Sequence, residues 1–183
     1  MIKKWKKSGS EKILLNKFGK FAKTQSFIDP RNGSKHEYVF VGEPDSVGIV
    51  ALTKDNKIIL VRQFKQAANK IITEVPAGII DKRESPLATA KRELEEETGY
   101  GSKNFKQIGK FMRSTRSIPT HSYTFLALDC YKIKSPKIDK EEELEVIIRP
   151  FKDWVKEVKT GKILDCLSVV DTLLAIGHLD NGK

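Results

Sequence analysis

The segment from Glu74 to Tyr100 constrains the fold most, because it contains a helix whose two ends are both marked by their residues. Ser85 is a favourable N-cap, and the following Pro86 suits the first helical position. Gly99 suits the position that ends a helix. Between these limits an apolar stripe recurs at helical spacing, and it consists of Leu87, Ala90 and Leu94. The sequence therefore predicts a helix over residues 85–98 that packs one face against a core.

Three carboxylates gather on an adjacent face of this predicted helix. Glu93, Glu96 and Glu97 are spaced i, i+3 and i+4, and Glu84 lies just before the helix. Arg92 lies four residues before Glu96, at a spacing that allows an ion pair. Like charges so placed repel each other by a few tenths of a kcal/mol per exposed pair. An isolated cluster of this kind is explained either by a solvated acidic face or by a bound divalent cation, for which all-oxygen ligands favour Mg²⁺ or Mn²⁺.

The rest of the chain alternates strands with a few helices. The predicted strands of the main part are 47–52, 58–63, 71–75, 105–113, 122–127 and 145–149. The predicted helices that follow are 154–159 and 166–178. The last helix carries an apolar stripe made of Leu167, Val170, Leu173, Leu174 and Ile176. This mixture indicates an α+β fold or a mixed α/β sandwich.

A small β unit precedes this main part. Residues 17–24 and 36–41 read as strands, and the residues from Asp29 to Gly33 give a strong hairpin signal between them. The residues from Glu43 to Ser46 mark the boundary. We therefore expect two parts, a basic segment with a small β unit over residues 1–45 and a larger domain over residues 46–183.

The spacing of the charged positions fits a known signature, G-x5-E-x7-R-E-U-x-E-E-x-G-U, in which U is a bulky apolar residue. The defined positions are occupied by Gly78, Glu84, Arg92, Glu93, Leu94, Glu96, Glu97, Gly99 and Tyr100. This segment resembles the Nudix box of the Nudix hydrolases. The resemblance implies an α/β/α sandwich on a mixed sheet, accompanied here by the small N-terminal antiparallel β unit. It also implies a pyrophosphohydrolase that acts on nucleoside diphosphate derivatives with Mg²⁺, or with Mn²⁺ as a substitute.

The resemblance also implies residue roles. The metal ligands by position are the backbone carbonyl of Ala77 and the carboxylates of Glu93, Glu96 and Glu97. Arg92 resembles the residue that orients a box carboxylate through an ion pair. We therefore expect Glu93, Glu97 and Arg92 to belong to the catalytic group as well.

The resemblance to the ADP-ribose pyrophosphatase branch of the family extends beyond the box. It includes residues 60–65, residues 74–78, the small β unit and the last helix within residues 161–175. Members of that branch hydrolyse ADP-ribose or related nucleotide sugars to a nucleoside monophosphate and a sugar phosphate. They are homodimers whose N-terminal β units contribute to the partner's substrate site. Arg62 and Glu74 match positions near the substrate, so we expect both to bind it.

The catalytic base of the branch is a glutamate from a loop after the box, and two segments compete for that role here. The loop 113–122 contains Pro119 but no acidic residue, which departs from the family pattern. The acidic segment 139–145 resembles the loop that supplies the base in some members. We expect Glu142 to be the base, with Glu141 or Glu143 as the alternatives. A solvated acidic loop before a strand is the competing explanation.

The loop 113–122 contributes two cations instead. Arg113 and Arg116 would lie near a metal–phosphate site and suit phosphate oxygens, because a guanidinium binds them in a bidentate manner. The competing explanation is that they are ordinary surface arginines.

The charge of the chain is unevenly distributed. The 183 residues carry a net charge of +10, and the first 23 hold eight lysines against the single acid Glu11. Most of the positive charge therefore belongs to the N-terminal segment. Three roles are open for these lysines: a solvated chain end, a field that steers phosphorylated substrate, or part of a dimer contact. Two cysteines without metal-ligand spacing and no apolar run of about 20 residues predict a cytoplasmic protein with no membrane partner.

Three functions remain open from the sequence. The preferred one is hydrolysis of ADP-ribose or another nucleotide sugar. The second keeps the family but changes the substrate to a dinucleoside polyphosphate, a coenzyme or an RNA 5′ end. The third is a non-catalytic protein whose basic N-terminus binds nucleic acid, and the intact box argues against it.

Overall fold

The computed structural model describes residues 1–137 and 143–181. The chain divides into two compact units. The first unit comprises Met1–Asp45 and Met112–His121, and the second comprises Ser46–Phe111 and Ser122–Lys183. Residues 112–121, which lie within the range of the expected larger domain, thus group with the N-terminal part.

The first unit contains a three-stranded antiparallel sheet in the order β1-β2-β3. Its strands are β1 (Lys6–Lys17), β2 (Lys20–Ile28) and β3 (Lys35–Gly42). The hairpin turn predicted from Asp29 onward is confirmed, and the Asp29 carboxylate accepts hydrogen bonds from the backbone and side chain of Arg31. The prediction of one strand over residues 17–24 is wrong. Phe18 and Gly19 adopt positive φ angles of 52° and 72° there, so the chain reverses between β1 and β2.

The second unit is built on a mixed eight-stranded sheet, although residues 112–114 and 118–121 of its strands are grouped with the first unit. Its strands are β4 (Ser46–Thr53), β5 (Lys57–Lys65), β6 (Lys70–Glu74), β7 (Ala77–Ile79), β8 (Tyr100–Gly101), β9 (Asn104–Ser114), β10 (Ile118–Lys132) and β11 (Leu144–Pro150). The order is β11-β5-β4-β10-β8, with β6 paired to β5, β7 to β4 and β9 to β10. Strands β4 and β10 are parallel, whereas β5 pairs antiparallel with β4, β6 and β11.

Helices cover both faces of this sheet. They are α1 (Pro86–Glu93), which continues as a π-helical segment (Leu94–Thr98), α2 (Phe151–Lys159) and α3 (Cys166–Asp180). The alternation of side chains along β4 explains the two layers. Ile49 and Ala51 pack with Leu94 of the π-helical segment, whereas Val50 on the opposite face packs with Trp154 of α2. The expected α/β/α sandwich with a mixed sheet and a small antiparallel β unit is confirmed.

The buried face of α3 differs from the predicted one. The predicted apolar stripe included Leu173, which is 48% exposed. The residues that are buried instead are Ser168, Asp171, Thr172 and Ala175. Their polar groups are satisfied across the interface, because Thr124 donates to Asp171 at 2.6 Å and Thr172 accepts from Trp154 at 2.8 Å. Hydropathy alone could not identify this face, since its hydrogen-bond partners come from distant parts of the chain.

None of the helices in the described part of the chain has the length and apolar character that crossing a bilayer requires.

Replacing Gly48 by alanine is expected to destabilise the second unit. A Cβ atom at Gly48 would lie 1.9 Å from Oδ2 of Asp171, and that side chain is held by Thr124 and 2% exposed. We expect a loss of about 1–3 kcal/mol in the free energy of unfolding, as for other overpacked cores, measured by denaturant titration. Gly177→Ala is the control, because a Cβ there meets nothing within 4 Å. Equal stabilities of the two variants would contradict the expectation.

Candidate active site

Helix α1 begins where the sequence predicts and then changes type. The Ser85 hydroxyl accepts a hydrogen bond from the backbone of Ala88 at 3.2 Å and so caps the helix. The α-helical pattern ends at Glu93, and the following π-helical segment ends at Gly99, whose φ is 71°. The predicted helix over residues 85–98 is therefore confirmed in extent, whereas the change to the π type in its last turn was not predicted. Helical turns of the π type are rare and are frequently found at functional sites.

The packing of this helix fixes which side chains face outward. Ala90 and Leu94 are fully buried, whereas the third member of the predicted stripe, Leu87, is 40% exposed. Leu87, in the first turn of α1, thus lies outside the hydrophobic core that contains Ala90 and Leu94, because only the later turns lie against the sheet. With Ala90 and Leu94 anchored, the neighbouring glutamates face the segment around β7.

A cavity of about 420 Å³ lies between these glutamates and β7. It is lined by Ala77, Gly78, Ile79, Asp81, Arg92, Glu93, Glu96, Glu97, Lys137 and Leu144. Its size is within the range of small-molecule sites. A Cβ atom on Gly78 would lie 1.9 Å from Oε1 of Glu93, so a glycine is required for this close approach. The structure therefore brings together Arg92 and all four of the predicted metal ligands.

Arg92 connects the carboxylates of the cavity. Its Nε and Nη2 atoms donate to both oxygens of Glu84, at 3.2 and 3.0 Å. Its Nη1 lies 2.9 Å from Oε1 of Glu93 and 2.9 Å from Oε2 of Glu96. These carboxylates raise the pKa of Arg92, so the guanidinium stays charged and offsets their mutual repulsion.

Glu97 is the most perturbed carboxyl group of the cavity. Its Oε2 accepts a hydrogen bond from the backbone N–H of Ala77 at 3.1 Å. Burial, together with the charges of Glu93 and Glu74, raises the pKa of Glu97 to about 8. Burial also raises the pKa of Glu93. A cation beside these groups would reverse both shifts, because it stabilises the charged forms.

The donor set of the cavity suits a hard divalent cation. Carboxylate and carbonyl oxygens are the ligands that Mg²⁺ and Ca²⁺ prefer in proteins. Among the residues that the structure describes, no three acidic, histidine or cysteine side chains converge into a ready-made metal cage. The reason is that Glu93 and Glu96 turn toward Arg92 while Glu97 turns toward Ala77. Side-chain rotation would be needed for these carboxylates to converge on one ion.

The two residues expected to bind substrate from the central strands are engaged in ion pairs. Arg62 on β5 contacts Glu145 on β11 at 2.6 Å. Glu74 is buried, and its Oε1 accepts from Lys65 and Gln63, both at 2.8 Å. Neither Arg62 nor Glu74 is among the residues that line the cavity. Their role in substrate binding stays a prediction.

The remaining expected residues are two arginines and the catalytic base, and neither arginine is among the described residues that line the cavity. Arg113 and Arg116 belong to the first unit, where Arg113 contacts Glu43 and Arg116 is exposed. Glu142, the expected base, and its alternative Glu141 lie outside the described residues. The second alternative, Glu143, is described and exposed. The identity of the base stays a prediction.

Four residues that line the cavity were not predicted from the sequence, namely Ile79, Asp81, Lys137 and Leu144. Asp81 lies three residues before Glu84, so its closeness to the box was available from the sequence. Lys137 lies 40 positions beyond Glu97 in the chain numbering, and no motif marks it. Its position depends on a backbone contact, since Lys137 N donates to the carbonyl of Glu96 at 2.9 Å.

Comparison with known proteins gives consistent matches. A family model of the NUDIX domain matches residues 42–161. The ADP-ribose pyrophosphatase of Bacillus subtilis (strain 168) is 35% identical over 139 residues, which cover 75% of this chain and 75% of that protein. The methanol dehydrogenase activator of Bacillus methanolicus is 30% identical over 144 residues, which cover 78% of each chain.

A solved structure shares the fold. The crystal structure of an ADP compounds hydrolase superposes with a TM-score of 0.85 over 100% of this chain and 98% of that chain, at 20% sequence identity. Because the family model spans most of the chain and includes the glutamate-rich helix, the chain belongs to the Nudix hydrolase family.

Proposed function

We propose that this protein hydrolyses the pyrophosphate bond of ADP-ribose or a related nucleoside diphosphate sugar, releasing a nucleoside monophosphate and a sugar phosphate. The observation that carries the proposal is the cavity in which the box glutamates meet Ala77 and Arg92. The names of the relatives support the substrate class, since one is an ADP-ribose pyrophosphatase that covers three quarters of this chain.

Nudix hydrolases generally use divalent metal ions. We propose Mg²⁺ for this protein, with the carbonyl of Ala77 and the carboxylates of Glu93, Glu96 and Glu97 as its ligands. When bound, Mg²⁺ polarises a phosphoryl oxygen and lowers the pKa of a bound water. The all-oxygen donors favour Mg²⁺, or Mn²⁺ in its place, over softer metals.

Arg92 and the glutamates it contacts act as one unit in this proposal. Arg92 fixes the orientation of Glu93 and Glu96 through the ion pairs at 2.9 Å. Two hydrogen bonds from Arg92 to the carboxylate of Glu84 hold the guanidinium itself in place. The ion pairs with Glu93 and Glu96 keep these two carboxylates beside the cavity, and their side chains would rotate from there to converge on one ion.

The attacking water needs a base. We propose Glu142, which would take the proton from that water. The acidic segment 139–145, which resembles the base-supplying loop of some family members, supports this proposal. Leu144, two residues after Glu142 in the chain, lines the cavity. We further propose that Arg62, Glu74, Arg113 and Arg116 contribute to substrate binding, because arginines pair with phosphate oxygens and a buried carboxylate suits a polar group of a base or sugar.

We also propose that the protein is a homodimer formed through the first unit. Three large apolar side chains of its sheet are exposed, namely Leu15, Val39 and Val41 at 44–55%. Leu15 and Val41 both pair with Ala22, so they lie on the same face of the sheet, and Val39 lies two residues before Val41 on that face. Contiguous exposed apolar surface of this kind marks protein interfaces.

The substrate assignment is tested by a panel of diphosphates. Purified protein with Mg²⁺ is expected to convert ADP-ribose or another nucleotide sugar to a nucleoside monophosphate and a sugar phosphate, identified by chromatography. Chelation of the metal should abolish the reaction, and Mg²⁺ should restore it. Preferential turnover of dinucleoside polyphosphates, coenzymes or RNA 5′ ends would replace the proposed substrate class.

Replacing Glu97 by glutamine is expected to remove nearly all turnover, at least about 100-fold in kcat, because the variant loses a carboxylate of the metal site. Glu95→Gln is the matched control, since Glu95 lies in the same π-helical segment but pairs with Lys134 away from the cavity lining. Circular dichroism should show both variants folded. Wild-type turnover by the Glu97 variant would refute the proposed metal site.

The dimer proposal predicts a mass by light scattering of twice the chain mass of 20.7 kDa. Charged substitutions of Val39 and Val41 to lysine should shift the mass to that of the monomer. Leu173→Lys is the control, since this exposed side chain of α3 belongs to the second unit. A monomeric wild type would contradict the proposal.

A further inference from the structure

The cavity is lined by two basic residues of the described chain, Arg92 and Lys137. Arg92 already contacts three carboxylates through all three of its nitrogen positions. Its Nη2 also lies 3.5 Å from the carbonyl oxygen of Ile79, so this arginine binds a phosphate only by giving up one of its partners. The second cation of the cavity is therefore the one to consider for an anionic ligand.

The position of Lys137 is fixed by the backbone of its own segment, residues 132–137. The N–H of Lys137 donates to the carbonyl of Glu96 at 2.9 Å. Earlier in the segment, the N–H groups of Ile133 and Lys134 donate to the carbonyl of Gly99 at 2.9 and 3.2 Å. Through these hydrogen bonds, the segment packs against the C-terminal end of the helix that carries Glu93, Glu96 and Glu97. The closeness of Lys137 to the carboxylates thus follows from the fold.

The three lysines of this segment differ in their partners. Lys132 donates its ammonium to the carbonyl of Thr98 at 3.0 Å, and Lys134 pairs with Glu95 at 2.5 Å. Lys137 makes no ion pair with any residue that the structure describes, although it lies beside Glu96. Of the three, it is also the one that lines the cavity.

The charge balance of the cavity favours a second cation beside the substrate. Carboxylates dominate the lining, and a single divalent cation neutralises two of their charges. A nucleoside diphosphate sugar brings further negative charge on two phosphates, which the carboxylates repel. A lysine ammonium is a compact cation with three donors on a flexible stem, and it suits a phosphate oxygen whose position changes during the reaction.

We propose that Lys137 binds a non-bridging oxygen of the substrate's diphosphate. This inference rests on the proposed function and deepens it, because it adds a substrate-binding residue outside the box. Lys137 offers a cation to the phosphates, whereas Arg92 is engaged with Glu84, Glu93 and Glu96. It acts on the substrate and leaves the metal ligands in place.

The test compares Lys137→Ala, Lys137→Arg and the matched control Lys134→Ala. Loss of one charge-assisted hydrogen bond to phosphate should raise KM for the preferred nucleotide sugar by about 10- to 100-fold. The kcat value should change less than KM. The arginine variant should recover most of the affinity because it retains the charge, and Lys134→Ala should stay within about threefold of the wild type.

Two further measurements separate a substrate contact from a structural role. The Tm of Lys137→Ala should equal that of the wild type, and its affinity for Mg²⁺ alone, measured by calorimetry, should not fall. An unchanged KM in Lys137→Ala, or a failure of arginine to rescue it, would overturn the inference.

A binding experiment keeps this inference separate from the proposed activity. A nucleoside diphosphate analogue with a methylene bridge is titrated into wild type and Lys137→Ala in the presence of Mg²⁺. Weaker binding to the variant supports the inference even if no substrate of the panel is turned over. Equal binding to both proteins overturns it even if the wild type is an active hydrolase.

Discussion

Strand β4 lies at the centre of the second unit, and both of its faces are buried. Every residue from Ser46 to Leu52 is shielded from solvent. A strand of this kind needs a layer on each side, since each face carries apolar side chains that must leave water. One side is covered by the glutamate helix through Ala90 and Leu94, and the other by α2 and α3. The placement of the cavity's carboxylates follows from this arrangement, because the helix that carries them is held against the sheet.

The electrostatics of the site depend on how the carboxylates are partnered. Arg92 contacts Glu84, Glu93 and Glu96, whereas Glu97 relies on a backbone N–H and has its pKa raised to about 8. Burial is the main cause of this raised pKa, and the charges of Glu93 and Glu74 add to it, so a nearby cation would favour the ionised form of Glu97. A metal ion and Lys137 would supply such charges at different places. The first would bind the glutamates, and the second would bind the substrate's phosphate.

Local signals predicted the elements that are bounded by their own residues. The helix start at Ser85, its end at Gly99 and the hairpin turn after Asp29 are all determined by nearby hydrogen bonds and backbone conformations. The predictions failed where a distant partner decides the outcome. The buried face of α3 is polar because Thr124 and Trp154 supply partners for Asp171 and Thr172. The π-helical turn was likewise missed, since its residues are ordinary helix formers.

The sequence by itself determined the family, the glutamate helix and the residues expected to bind metal, because these depend on fixed spacings within one short segment. The tertiary structure alone decided which other groups share the cavity. It placed Lys137 beside Glu96 through a backbone hydrogen bond, and it paired Arg62 with Glu145 across neighbouring strands. The physical reason is that such contacts join residues far apart in the chain. The distance between such residues depends on how the sheet and helices pack, and a short sequence motif does not predict that packing.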